Sequence, residues 1–414
     1  MKKLKWLYPG MLIKRWISLS VFGVLMISMG FVIVISERSG ENKAIAGLII
    51  ILGIMSIILS VKRILKSFMT VLMPEKGEDA LVEKIFEKRI LEKGPKIVVI
   101  GGGTGLSTLL TGLKHKTGNI TAIVTVADDG GSSGRLREEF GVPPPGDIRN
   151  CLVALADSED LLGPLFQFRF KEGMGLQGHN FGNLFITALS QVTGDFAKAI
   201  KESSKVLAIR GNVYPATLQR MRLVAMRKNG HETVGESRIR EERGSQIDML
   251  SLIPSDCEAT QESVEAIRQA DAVVLGPGSL YTSVMPNLLI DGIQKEIVRS
   301  KAAKIYICNV MTEAGETDDY SVSDHVKAIV KHTHPEILNY CIVNISRIPK
   351  DLYEKYRMEE KFPVTLDDND ERWFRDNKVE LVRAKIASMK EFVRHDSVNL
   401  SETIMNIIAE HRRR

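Results

Sequence analysis

Two long runs without a charged residue open the chain: Trp16–Ser36, of 21 residues, and Ala44–Val61, of 18. At about 1.5 Å per helical residue they reach roughly 31 and 27 Å, against a hydrocarbon core of about 30 Å. Both predict membrane-crossing helices joined by the short loop 37–43. A polar stretch over 74–94 follows, with Leu81, Val82, Ile85, Phe86, Ile90 and Leu91 at helical spacing, and predicts an amphipathic linker helix. From Pro95 the pattern changes. Short β-branched runs at Lys96–Ile100, Ile120–Val126, Ala270–Leu275, Lys304–Val310 and Leu338–Ile345 alternate with helical stretches, the rhythm of βαβ units around a parallel sheet. Arg220–Arg227 and Glu232–Arg240, split by Asn229-Gly230, predict a β-hairpin apart from that sheet. Helices are expected near Leu106–Lys114 and at Ser401–His411. The expected organisation is a membrane anchor over 1–73 with spans at about 16–36 and 44–61, a linker over 74–94, and an α/β body over 95–414.

The net charge of +5 is unevenly spread. Residues 1–73 hold ten Lys or Arg against two acids, so the remaining 341 residues carry 46 bases and 49 acids. A mildly acidic body argues against a general nucleic-acid binder, whose affinity comes from neutralising phosphates. Five bases precede the first span, and Lys62, Arg63 and Lys66 follow the second. The positive-inside rule then puts both ends in the cytoplasm, as a multi-pass protein of the cell membrane with a cytoplasmic C-terminal body. A cleaved signal peptide would have an apolar region of about 7–15 residues, shorter than this one. Neither span contains an ionisable residue, so the hairpin predicts an anchor in the lipid bilayer rather than a transport path. Cys151, Cys257, Cys308 and Cys341 have no metal-binding spacing and read as structural thiols of a reducing compartment.

Ligands of open α/β sheets bind outside the carboxyl ends of the strands. The first such end carries Gly101, Gly102, Gly103, Thr104 and Gly105, where glycines admit a diphosphate to the backbone and helix-opening amides donate to it. The alternative is a tight turn without a ligand. Leu106 stands where a dinucleotide fingerprint needs glycine, and no Gly-Lys-Ser/Thr follows as in a P-loop. A second loop, Gly276, Pro277, Gly278 and Ser279, precedes a helical stretch around Asn287. Asp128 stands where dinucleotide proteins keep a ribose-binding acid. With Asp129 it offers a divalent-metal (Mg) or acid/base role, or else two solvated turn carboxylates. Ser132, Ser133 and Arg135 supply hydroxyls and a guanidinium for phosphate. Asp147, Arg149 and Asn150 open a helix after Pro143-Pro144-Pro145; Asp147 either caps it or contacts the ligand. His179, Asn180 and Asn183 can hydrogen-bond polar groups, with His179 a candidate base or a structural histidine. Near the C-terminus, Ser397 or Ser401 can cap the last helix, and Arg394 can reach a phosphate or sugar hydroxyl. A phosphate on Ser397 would place charge beside Arg394, a candidate switch.

Six segments in order resemble the CofD superfamily, and more closely its YvcK-like branch of gluconeogenesis factors. They are Val99–Gly105, Asp128–Gly134, Pro144–Arg149, Gly178–Asn183, Gly276–Ser283 and Arg394-His395-Asp396. The resemblance implies a Rossmann-like body that binds a nucleotide-sugar, UDP-N-acetylglucosamine, and a role in cell shape and wall synthesis during gluconeogenic growth. Self-association and a protein partner in wall synthesis are expectations that accompany that role. The other branch transfers phospholactate from a guanosine-diphosphate-activated donor to a deazaflavin, with a divalent metal. This chain has Pro145-Gly146-Asp147-Ile148 where that branch has a Pro-Asp-Leu-Asp-type segment, and Gly278-Ser279-Leu280 where it has Asn-Pro. A nucleotide-sugar-binding regulator is therefore expected first, a transferase using an activated nucleoside-diphosphate donor second.

Overall fold

The computed structural model describes residues 14–36, 40–72, 89–157, 161–389 and 391–414. The chain divides into two units, Met1–Arg89 and Ile90–Arg414. Most of the expected amphipathic linker lies outside the described residues; residues 89–92 are helical.

In the first unit, helices α1 (Lys14–Ser36) and α2 (Gly40–Leu72) pack against each other. Both contain segments long and apolar enough to cross a bilayer, Lys14–Ser36 and Asn42–Ser67. The second helix does not stop at Val61, because Lys62, Arg63 and Lys66 are good helix formers and no breaker intervenes. Small residues set the approach: a Cβ on Gly53 would lie 2.7 Å from the Gly23 carbonyl oxygen. Hydroxyls bond across the seam, Ser20 to Ser60 at 2.7 Å and Ser56 to the Leu19 carbonyl at 3.0 Å. The outward side chains Phe22, Leu25, Met29, Val32, Leu48 and Ile51 are left exposed, a surface that water does not favour.

The second unit is built on seven parallel strands in the order β10-β9-β8-β7-β1-β2-β3. These are β1 (Ile97–Gly101), β2 (Ile120–Val124), β3 (Asn212–Pro215), β7 (Ala272–Leu275), β8 (Ala303–Ile307), β9 (Tyr340–Asn344) and β10 (Glu380–Ala384). β1, β7 and β8 are buried at every position, as in a parallel sheet covered on both faces. The five expected strands are all present. Three end early, β2 at Val124, β8 at Ile307 and β9 at Asn344, because pairing ends where the loops leave the sheet.

The expected hairpin is half right. β4 (Arg222–Arg227) pairs with β5, but β5 covers only Glu232–Val234, and β6 (Ile247–Ile253) completes a three-stranded antiparallel sheet. Residues 236–241 are a helix rather than strand, because the Asp129 carboxylate accepts the Glu236 and Ser237 amides at 3.0 and 2.9 Å. The terminal helix starts at Ser397, and its cap is neither serine. Asp396 accepts the amides of Val398 and Asn399 at 3.0 and 2.9 Å, while Ser401 is buried and donates to the Val398 carbonyl. This helix packs along Gly103–Leu113, and the hairpin β11 (Ala387–Met389) and β12 (Val393–His395) precedes it. All four cysteines are free and buried.

Two measurements check these features. Ser20→Cys paired with Ser60→Cys should form an intramolecular disulfide under mild oxidation; reduced thiols throughout would contradict the hairpin. Asp396→Ala should cost about 1 kcal/mol of stability, read by chemical denaturation, and Asp396→Asn distinctly less.

Candidate functional site

Strands β1 and β7 are neighbours, with β2 and β3 on one side and β8–β10 on the other. The strand order therefore reverses between them, and Gly101–Gly105 and Gly276–Ser279 leave adjacent carboxyl ends. The loops touch. A Cβ on Gly105 would lie 2.6 Å from the Pro277 carbonyl oxygen, so only glycine admits this approach. Gly103 takes φ +67° to open the helix Gly103–Leu113, whose N-cap, Gly102, supplies no side-chain acceptor. The result is a helix N-terminus suited to an anion.

A cavity of about 430 Å³ opens over these loops. Of the residues expected at a ligand, Gly102, Gly103, Thr104, Gly105, Asp147, Asn150, Gly278, Ser279 and Arg394 line it. Asp147 accepts a hydrogen bond from the Gly103 amide, so it braces the first loop rather than capping its own helix, Gly146–Leu155. Gly101 and Gly276 lie beneath the loops. Asn287 is fully buried and donates to the carbonyls of Ser283 at 2.8 Å and Gly101 at 3.4 Å, which makes it a brace rather than a cavity wall.

The remaining expected residues gather in a second polar network. Ser132 meets His179 Nδ1 at 3.1 Å and accepts from Asn183 at 3.2 Å. Arg149 donates to Asn183 at 3.0 Å and to Asn150 at 2.8 Å, so Asn150 joins this network to the cavity. Asn180 caps the helix Phe181–Thr193. Arg135 donates to the Gln177 carbonyl at 3.1 Å. Burial, with Arg135 adding to it, lowers the pKa of His179. These contacts give His179, Asn180 and Asn183 structural work.

The acid pair is divided. Asp128 accepts from the Gly130 amide at 3.0 Å and, like Ser133, stands beside Gly146. Both oxygens of Asp129 are taken by the amides of the Glu236–Glu241 helix. Among the described residues no three His, Cys, Asp or Glu side chains gather as a metal centre. Asp129 faces N–H donors, so neither of its oxygens is turned toward Asp128 as one half of a pair of ion ligands would be.

Several cavity residues lie outside every motif of the sequence: Arg240, Asn309, Glu313, Tyr356 and Lys361, while His395 belongs to the Arg394-His395-Asp396 segment. The loop after β8 carries Asn309 and Glu313, and the carboxyl-end rule alone points to it. Arg240 had no local signal, since its helix depends on Asp129, far away in sequence. Burial raises the neighbouring carboxyls. Asp147 is pushed up to about 6, by burial and then by Asp128; Glu236 and Glu316 are pushed up to about 7, mainly by burial, and Glu313 also rises. Burial lowers His395 to about 4.

Fold and site together define a doubly wound α/β protein whose paired glycine loops line one cavity at the switch point. The profile of the 2-phospho-L-lactate transferase CofD family matches residues 97–387, and the chain belongs to that family. It is similar to the gluconeogenesis factor of Bacillus subtilis, 46% identical over 76% of this chain and 99% of that protein. It also resembles the gluconeogenesis factor of Halalkalibacterium halodurans, 51% identical over 67% of this chain and 86% of that protein. A crystal structure of a UPF0052-family protein from Bacillus halodurans superposes with a TM-score of 0.72 at 47% identity, covering 76% of this chain and 99% of that one.

Asp147, Glu236 and Glu316 hold protons more tightly in the folded than in the unfolded chain. Stability should therefore fall as pH rises from about 4 to 7 and level off above. Unfolding midpoints should be higher at pH 5.5 than at 7.5 on this account, with a flatter profile in Asp147→Asn; an unchanged slope in that variant would contradict it. Asp129→Ala should destabilise by about 1 kcal/mol and Asp129→Asn by less, the order of a cap and not of a metal ligand.

Proposed function

We propose that this protein is a membrane-anchored binder of a nucleotide-sugar, UDP-N-acetylglucosamine, that regulates cell shape and wall synthesis during gluconeogenic growth. One observation carries the reading: two glycine loops from adjacent strands face one cavity at the switch point, the arrangement that backbone donation to a diphosphate requires. Arg394, on β12, lines the same cavity and stacks 5.3 Å from the Phe392 ring, a planar fork available to a phosphate or sugar hydroxyl. The gluconeogenesis-factor name of the relatives supports the physiological half of the proposal. The two apolar helices support the anchor, and the base count flanking them supports a cytoplasmic body.

The transferase reading rests on the family description and shares this site. It differs in consuming a second substrate, so nucleotide release from UDP- and GDP-linked donors separates the two. The regulator reading expects tight UDP-N-acetylglucosamine binding and no release.

Thr104 is exposed at the cavity mouth, so Thr104→Trp should fill the site without disturbing the core. Calorimetry should show loss of UDP-N-acetylglucosamine binding with an unchanged circular-dichroism spectrum; retained affinity would refute the placement. A reporter fused after Arg414 should be active only on the cytoplasmic side.

A further inference from the structure

Asp147 and Glu313 line a cavity that a nucleoside diphosphate would enter with about two negative charges, and Glu236 and Glu316 stand behind its Arg240. Backbone amides donate hydrogen bonds but carry no net charge, so a cation in the lining is what balances the phosphates. Three cations line the cavity: Arg240, Lys361 and Arg394. Lys361, paired with Glu359 at 3.3 Å and Glu313 at 3.9 Å, offers an ammonium rather than a planar fork. Arg394 is the exposed residue of a half-buried two-stranded hairpin.

Arg240 is held differently. Its Nη1 donates to Glu236 Oε1 at 3.2 Å, and its Nε lies 4.0 Å from Glu316 Oε1. Glu316 is buried and accepts from the Thr282 hydroxyl at 2.9 Å, in the helical turn that follows the second glycine loop. The short helix under Arg240 is pinned at both ends. Asp129 takes its first amides, and the buried Arg227 donates to the carbonyls of Ile239 at 3.0 Å and Glu242 at 3.3 Å. The Arg240 side chain is still 54% exposed, and so open to a ligand.

We infer that Arg240 is the residue that grips the diphosphate of the ligand, and that Glu316 is the positioning residue that holds its guanidinium opposite the glycine loops. The inference rests on the nucleotide-sugar reading and adds to it the group that meets the phosphates. It also explains the second acid of the Asp128-Asp129 pair: Asp129 builds the helix that carries Arg240. A guanidinium offers two parallel donors to two phosphate oxygens, which an ammonium cannot match.

The test is calorimetric titration of the full chain in detergent with UDP-N-acetylglucosamine, UDP and UMP. Wild type is compared with Arg240→Lys, Glu316→Gln and the double variant. Arg240→Lys should weaken both diphosphates about tenfold and UMP much less, the loss of a charge-assisted hydrogen bond. Glu316→Gln should weaken them by roughly threefold, and the double variant should bind no worse than Arg240→Lys, because the two residues act as one unit. Equal weakening of UMP and UDP in Arg240→Lys would mark a merely structural role and overturn the inference, as would unchanged diphosphate affinity. Strictly additive losses would overturn the positioning role of Glu316. If wild type binds none of the three, the nucleotide-sugar reading itself falls; if wild type binds and Arg240→Lys binds equally, only the inference does.

Discussion

The structure of the body depends on one close approach, that of the Gly105 backbone to the Pro277 carbonyl. Two strands adjacent in a parallel sheet stand about 4.8 Å apart, and loops leaving their ends normally spread to make room for side chains. Here the absence of a Cβ lets them stay in contact, so two sets of backbone groups face one cavity. The sheet order follows from the same requirement. The chain lays β2 and β3 on one side of β1 and returns to place β7 on the other, which makes the β1–β7 boundary the switch point at which the two glycine loops meet.

Around that contact, most of the polar side chains do structural work. Asn287 braces the second loop against the first, Asp147 braces the first, and Asn180 and Asp129 cap helices. What is left for a ligand is backbone, a few hydroxyls and amides, and three cations beside carboxyls whose pKa values burial raises. Such a site suits a large, hydroxyl-rich anion better than a small apolar molecule. The hairpin of α1 and α2 shows the same economy: the Ser20 and Ser60 hydroxyls bond across its seam and its apolar side chains face outward.

Much of this was legible in the chain. The β-branched runs identified five of the seven parallel strands, because a strand buried on both faces is written as a continuous apolar segment. The two glycine loops followed from their places after those strands. β3 and β10 were missed because they lie at the sheet edges, where short and partly polar strands suffice. β6 was missed although Leu250-Ser251-Leu252-Ile253 alternates as an antiparallel strand should. The hidden parts share a cause. Helix 236–241 is specified by Asp129, and the terminal cap is Asp396 rather than either serine; both depend on which acceptor reaches an amide first in the folded chain. Arg240 and Glu316, brought together across the sequence, have no local signature at all.

The central claim is that a nucleotide-sugar is held by backbone amides of both glycine loops at once. Hydrogen–deuterium exchange of the full chain with and without UDP-N-acetylglucosamine tests it most directly. The ligand should slow exchange together in the segments 102–106 and 277–283, with no comparable change at the far end of the sheet. Slowed exchange confined to one loop, or located away from both, would contradict it.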